Sequence, residues 1–313
     1  MYAPGLDGNS YLLYVRGTTL FAQELDTGGL RLSGEPHPLA DPVASMLSAG
    51  RMNVDVSANG LLVYGAPSAS SRLQWVDRAG RRLAVVGEPG QPNAFRLSPD
   101  GLHAAMVRTD ADGGSIWLVD TTRAVANRFV AHPSVVAYPV WSPDGETIAF
   151  SKADHLGPAA VGSVLPLFRK RLSGGGAEER LTAPATLHLG TDWSRDGRFL
   201  LFFDMSPPTM EDIWYLRVPP EGRVTEPAEL KPYLRTTARE FNGRFSPEAD
   251  PQAGPRWVAY QSDESGRSEV YIDSFPEPHR PIRVSTNGGW FPDGVAHWAM
   301  ESARCTMYRR ITS

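Results

Sequence analysis

Trp141-Ser-Pro-Asp-Gly-Glu-Thr-Ile-Ala-Phe150 reads as a tight turn feeding a strand. Pro143 presets its own φ, Asp144 can hydrogen-bond within the turn, and Gly145 takes a conformation that other residues resist. The Thr-Ile-Ala-Phe run that follows is short, bounded and partly β-branched, as buried strands are. One such turn would be a weak signal. It recurs as Ser98-Pro-Asp-Gly101, Ser194-Arg-Asp-Gly197 and, with Asn for Asp, Ser57-Ala-Asn-Gly60. A fifth copy is swollen, running from Ser246-Pro-Glu to Pro255. The spacing of roughly 40 to 50 residues is that of four-stranded propeller blades.

The flanks repeat with the turn. A large apolar residue precedes each serine: Val56, Leu97, Trp141, Trp193 and Phe245. Second strands follow at Leu61–Tyr64, His103–Val107, Thr147–Phe150, Phe199–Phe203 and Trp257–Tyr260. Third strands are predicted at Leu73–Asp77, Ser115–Asp120, Leu165–Phe168, Asp212–Leu216 and Glu269–Asp273. More exposed fourth strands follow, as at Arg180–Thr182 and Ile282–Ser285. Each unit is a four-stranded antiparallel meander. The near-continuous apolar second strands require sheets covered on both faces.

Tyr11–Val15 and Leu20–Leu25 look like second and third strands with no first strand before them, while Gly289-Trp-Phe-Pro292 looks like a first strand with no second. A ring leaves no open edge only if its ends meet. The expected fold is therefore all-β: a six-bladed β-propeller closed by a composite blade from both termini, which puts Trp290 and Tyr11 in one sheet. The propeller domain is expected to span residues 8–292, with 293–313 a non-repeat tail.

Composition sets the outer bounds. The chain of 313 residues, 41% apolar and 21% charged, can bury a sizeable core. A formal net charge of −4 argues against a dedicated nucleic-acid surface. No apolar run reaches membrane-span length and no signal-peptide pattern opens the chain. As written it is expected to be cytoplasmic and monomeric. The single Cys305 excludes an internal disulfide and a cysteine-based metal cluster.

These units resemble the TolB-like, WD-like propeller repeats with their Trp-Ser-Pro-Asp-Gly signature. They resemble more closely still the C-terminal propeller of bacterial eukaryotic-like serine/threonine kinases, in which a kinase domain and a membrane-spanning helix come first. The matching stretches are Tyr11–Gln23, Gln74–Gly80, Phe199–Phe202, Ser262–Arg267 and Val284–Pro292. The chain has no His-Arg-Asp loop, no Asp-Phe-Gly and no Gly-rich loop with a strand lysine, so kinase activity is not carried over. The resemblance implies a sensing or protein-binding module, extracytoplasmic if it belongs to a membrane-anchored kinase. The resemblance stops after Pro292. A shifted reading frame there restores an Asp-Gly-Lys turn and an aromatic strand, so a frameshift is expected after Pro292. The frame also opens mid-repeat at Met1, as a fragment of a longer gene would.

Few residues invite a chemical reading. His37, His103, His132, His155, His188, His279 and His297 show no paired metal-ligand spacing and read as surface or blade-packing residues. No Gly-x-Ser-x-Gly elbow is present. Ser173–Gly176 lacks the Lys-Ser/Thr ending of a phosphate cradle and reads as a hairpin loop. The turn Asp, Asp263-Glu264 and Asp110-Ala-Asp112 read as turn acids rather than metal ligands. One pattern is less bland. Two residues before each turn serine, in the strand expected to line the central channel, stand Asp55, Arg96, Val140, Asp192 and Arg244. With Asn53, Asn93 and Asn242 nearby, they either line a polar channel mouth or pair between blades, Asp to Arg.

The expected function is non-enzymatic: a propeller that presents a rigid face to a protein partner or small ligand, with no catalytic residue, cofactor or metal. The alternatives are the gating propeller of an oligopeptidase, which needs a separate nucleophile domain, and a TolB-like periplasmic protein, which needs a signal peptide.

Overall fold

The computed structural model describes residues 2–4, 10–16, 19–26, 31–41, 43, 45–46, 51–52, 54–56, 62–65, 71–76, 82–90, 92–110, 113–123, 125–154, 163–173, 176–183, 186–209, 211–218, 230–246, 254–285 and 308–312; for 2–4, 10, 15, 45–93, 110 and 308–312 the backbone alone is described. Among these residues the elements are strands, assembled into five four-stranded sheets, one five-stranded sheet and a two-stranded ribbon.

The sheets follow one another along the chain. Sheet 1 contains Tyr2–Pro4, Ser10–Arg16, Thr19–Asp26 and Arg31–Ala40. Sheet 2 contains Val54–Val56, Leu62–Gly65, Ser71–Val76 and Arg82–Gly90, with Tyr308–Thr312 added. Sheet 3 contains Pro92–Leu97, His103–Asp110, Gly113–Asp120 and Ala126–His132. Sheet 4 contains Val136–Trp141, Thr147–Lys152, Leu167–Arg171 and Glu179–Arg180. Sheet 5 contains His188–Trp193, Phe199–Asp204, Asp212–Arg217 and Leu230–Leu234. Sheet 6 contains Glu240–Phe245, Trp257–Ser262, Glu269–Ser274 and Ile282–Arg283. Sheets 1 and 3 to 6 are antiparallel meanders, as the repeat requires.

The turns explain why these strands start where they do. Ser98 Oγ donates to Asp100 Oδ1 at 2.5 Å and accepts from the His103 amide at 2.9 Å, while Asp100 Oδ1 accepts from the Leu102 amide at 2.9 Å. The same bonds close the Ser142–Thr147 and Ser194–Phe199 turns. Gly101, Gly145 and Gly197 sit at φ 73°, 74° and 76°, a region that costs a Cβ-bearing residue. In the swollen copy Ser246 Oγ accepts from the amides of Arg256 and Trp257 at 3.1 and 3.0 Å. The turns also touch in series. A Cβ on Gly145 would lie 3.8 Å from Pro99, and one on Gly197 3.9 Å from Pro143.

Between the sheets lie separate apolar layers. Ala105, Val107 and Ile116 of sheet 3 meet Trp141, Ile148 and Phe150 of sheet 4. Val140, Ala149 and Leu167 of sheet 4 meet Leu200, Phe202 and Leu216 of sheet 5. Leu201, Ile213 and Tyr215 meet Phe245, Val258 and Tyr271 of sheet 6, around Phe275. The other face of sheet 6, with Ala259, Val270 and Ile272, packs on Leu12, Tyr14 and Leu25 of sheet 1. Both faces of the second strands of sheets 4, 5 and 6 are covered, and a fully buried large apolar side chain contributes about 1.5–3 kcal/mol.

Three expectations need correction. The first unit does have a first strand: Tyr2–Pro4 pairs with Ser10–Arg16, Tyr2 opposite Leu12. It occupies the edge reserved for Gly289–Pro292, which lies outside the described residues. In sheet 4 the third strand begins at Leu167 rather than Leu165. Pro166 has no N–H for a ladder, and Leu165 instead bridges to Leu187 at the start of the next unit. In sheet 2 the second and third strands are parted by Tyr308–Thr312, parallel to Leu62–Gly65 and antiparallel to Ser71–Val76. The Tyr-Arg-Arg-Ile-Thr run, rich in β-formers, can fill such a ladder although it lies outside the repeats.

Candidate functional site

Each of the first strands in sheets 3 to 6 carries a register shift before its apolar end: Pro92/Ala94, Ala137/Val140, Gly190/Asp192 and Phe241/Arg244. Such bulges sharpen the local twist and re-aim the side chains that follow. Two bulges hold a non-glycine residue at positive φ, Tyr138 and Asn242, both at 58°. Asn tolerates that region. Tyr138 is held there against Phe203, ring centroids 5.8 Å apart and edge to face.

The charged positions after these bulges divide into two groups. Asp192 and Arg244 come together across sheets 5 and 6: Arg244 Nη1 donates to Asp192 Oδ1 at 2.8 Å, and the Phe245 amide donates to Asp192 Oδ2 at 2.8 Å. The Arg244 side chain is 3% exposed and that of Asp192 20%. One carboxylate thus ties the first strands of two sheets together. Arg96 is buried, its Nη1 donates to the Phe95 carbonyl at 3.0 Å, and its own carbonyl accepts from Trp141 Nε1 at 3.0 Å. Asn242 turns into its own sheet, Nδ2 donating to Gln261 Oε1 at 2.7 Å, both buried. Asp55 lies in Val54–Val56 opposite Val63, and Asn93 in Pro92–Leu97, with their side chains outside the description; Asn53 lies outside the described residues.

A second polar group, which the sequence did not reveal, sits at the other end of the same strands. In sheet 5, His188 is in register with Asp204, and Asp204 with Asp212. His188 lies against Phe202 with centroids 4.5 Å apart, its Nε2 3.9 Å from Asp204 Oδ1. Burial pushes the imidazole down to about 4, against the pull of Asp204. Asp204 accepts hydroxyl hydrogens from Thr186 and Ser206, each at 2.6 Å. Asp212 accepts from Thr209 at 2.8 Å with Arg235 Nε at 3.4 Å, and burial raises its carboxyl above the usual range. Glu240, at the start of sheet 6, accepts from Thr236 and is pushed up to about 7 by burial, helped by Asp212 and Glu264. The Glu240 amide donates to the Glu211 carbonyl at 2.7 Å and so joins sheets 5 and 6. Asp204 and Glu240 hold hydroxyl donors of their own chain. Among the described residues no group of three His, Cys, Asp or Glu side chains is placed to hold a metal ion.

No family model and no curated protein matches the chain. Among solved structures it is similar to TolB from Acinetobacter baumannii, at TM-score 0.65 and 16% identity over 98% of this chain and 68% of that one. It is also similar to a TolB candidate from Agrobacterium tumefaciens, at TM-score 0.54 and 16% identity over 99% of this chain and 88% of that one. The fold is a TolB-like β-propeller.

The buried polar group gives this propeller a stability that depends on pH. The raised Glu240 favours the protonated carboxyl in the folded state. Its contribution is full below the unfolded value near 4.5 and is lost as pH rises through about 7. The lowered His188 works oppositely: its contribution is present above the ordinary value of 6.5 and is lost as pH falls through about 4. Glu240→Gln is expected to raise the melting temperature at pH 8.5 by several degrees and leave it nearly unchanged at pH 4.5. Thermal melts at the two pH values check this, and an equal shift at both would remove Glu240 ionisation as the cause.

Proposed function

We propose that this chain is a non-enzymatic six-bladed propeller that presents a rigid end face to a protein partner or small ligand. The observation that carries the reading is the fate of the repeated acids. Asp100, Asp144 and Asp196 are each bound by the serine and an amide of their own turn, so the residues that look most like chemistry close hairpins instead. Rigid ends of this kind suit recognition by loops. Six blades agree with the six sheets of four or five strands and with the packing of sheet 6 on sheet 1.

In this reading Asp55, Arg96, Asp192 and Arg244 belong to the strands around the central channel, with Asn53, Asn93 and Asn242 close to them in sequence. The Asp192–Arg244 contact supports a ring-holding role for that pair. The stretches at Tyr11–Gln23 and Ser262–Arg267 support descent from the propeller of a bacterial receptor-type kinase, without its kinase activity. Among the described residues no helix is long and apolar enough to cross a membrane.

The test places a photo-crosslinking residue at Glu264 or at Arg195, exposed positions at opposite strand ends, in the native host. A discrete adduct from one of the two positions is expected. Adducts from neither would overturn the binding reading, and turnover of peptide or ester substrates by the purified chain would overturn the non-enzymatic one.

A further inference from the structure

At two junctions successive sheets meet through the same kind of pair: the residue before a turn serine, and the residue that opens the second strand of the preceding sheet. At the junction of sheets 3 and 4 these are Trp141 and His103, ring centroids 6.5 Å apart. At the junction of sheets 5 and 6 they are Phe245 and Phe199, 6.4 Å apart. At the junction of sheets 4 and 5 the pair is Trp193 and Thr147, so one ring is missing. Trp141 and Phe245 are 7% and 4% exposed, whereas Trp193 is only half-buried. Trp141 reaches back to the Arg96 carbonyl of the sheet before it; Trp193 Nε1 instead donates to Gly197 O of its own turn at 3.0 Å.

A cleft of about 430 Å³ opens at that junction, with Thr147, Trp193, Arg171 and Glu146 in its lining. Arg171 stands opposite Thr147 in the ladder, so the two side chains share a face of sheet 4. The other cations of the cleft are engaged. Arg169 pairs with Glu179 at 2.7 Å, Arg198 with Asp196 at 2.5 Å, and Lys170 donates to the Phe129 carbonyl at 2.8 Å. Arg171 makes no ion pair or side-chain hydrogen bond among the described residues, and neither does the Glu146 carboxylate.

We propose that this cleft binds an aromatic carboxylate, whose ring fills the gap left by Thr147 against Trp193 and whose carboxylate meets Arg171. The ring would complete the contact that the neighbouring junctions make internally, and a guanidinium can grip a carboxylate through two N–H bonds. Two sources share that chemistry: a free aromatic amino acid and the C-terminal aromatic residue of a peptide. Glu146 distinguishes them, because only the free amino acid brings an ammonium group beside the carboxylate. The site deepens the binding reading above.

Isothermal titration of the purified chain with phenylalanine, N-acetylphenylalanine and phenylalaninamide tests it. Either carboxylate is expected to bind and the amide to bind about tenfold or more weakly, the loss of a charged hydrogen-bond partner. Tighter binding of phenylalanine assigns the free amino acid; tighter binding of the acetyl compound assigns the chain terminus. Thr147→Phe, which supplies the missing ring, is expected to abolish binding while keeping or raising the melting temperature. Arg171→Gln, at an exposed position, is expected to weaken binding about tenfold in a folded chain and carries the test should Thr147→Phe fail to fold. No heat with either carboxylate, or affinity unchanged in both variants, overturns the proposal. Arg195 stands in the turn that lines the cleft, whereas Glu264 stands at the opposite strand end, so an adduct at Glu264 does not depend on the cleft and the two readings are told apart.

Discussion

Asp192→Ala is expected to lower the unfolding free energy by about 3 kcal/mol, the low end of what breaking a buried ion pair costs. Two effects combine. The Arg244 guanidinium, 3% exposed, loses its carboxylate, and the Phe245 amide loses its acceptor, which sits 2.8 Å away. Both groups belong to the first strand of sheet 6, so the damage falls on the seam between two sheets rather than within one. Replacing both partners by apolar residues removes the stranded charge. Asp192→Leu with Arg244→Met is therefore expected to be more stable than Asp192→Ala alone. Urea denaturation of the single and double variants measures the difference. A cost below about 0.5 kcal/mol for Asp192→Ala would mean that the pair behaves as a surface ion pair does and does not hold the seam.

Trp141→Ala is expected to cost about 3–5 kcal/mol, the range for truncating a large buried aromatic. The indole is 7% exposed, packs among Ala94, Ile148 and Phe150, and donates to a carbonyl of the preceding sheet. Trp141→Phe keeps most of the apolar contact and loses the N–H, and should cost about 1–2 kcal/mol. The matched change Trp193→Ala should cost much less, because that indole is half-buried and bonds only within its own turn region. Chemical denaturation of the three variants gives the order. Equal costs for the two alanine variants would show that the junctions are packed alike.

The strands after each Ser-Pro-Asp-Gly turn were legible because that turn is a local device, closed by atoms within six residues of one another. The same locality hid the rest. Tyr2–Pro4 is three residues long, ends in proline and follows no repeat turn, so nothing in its own composition announces a strand. The third strand of sheet 4 starts two residues later than its sequence suggests, because Leu165, apolar like a strand residue, spends its amide and carbonyl on Thr186 and His188. An Asp-to-Arg tie between blades was foreseeable from the charges at one repeated position; that Asp192 takes Arg244 depends on which sheets are neighbours. His188, Asp204 and Asp212 were unreadable as a group, since only strand register makes them adjacent. Thr147 carries no motif of its own, since its importance lies in being smaller than His103 and Phe199.

The stacked turns have a consequence for how such a chain can change its length. The turns at Ser142 and Ser194 satisfy their serine and aspartate with their own atoms and set a glycine against a proline edge of the turn before, Gly145 against Pro99 and Gly197 against Pro143. Nothing in that contact is keyed to a particular neighbour. A duplicated segment running from one turn to the next would find the same surface before it and offer the same surface after it. Blade number is therefore open to gain or loss by whole-unit duplication or deletion, while the keyed contacts, Asp192 with Arg244 and Trp141 with the Arg96 carbonyl, record which units have since become fixed partners.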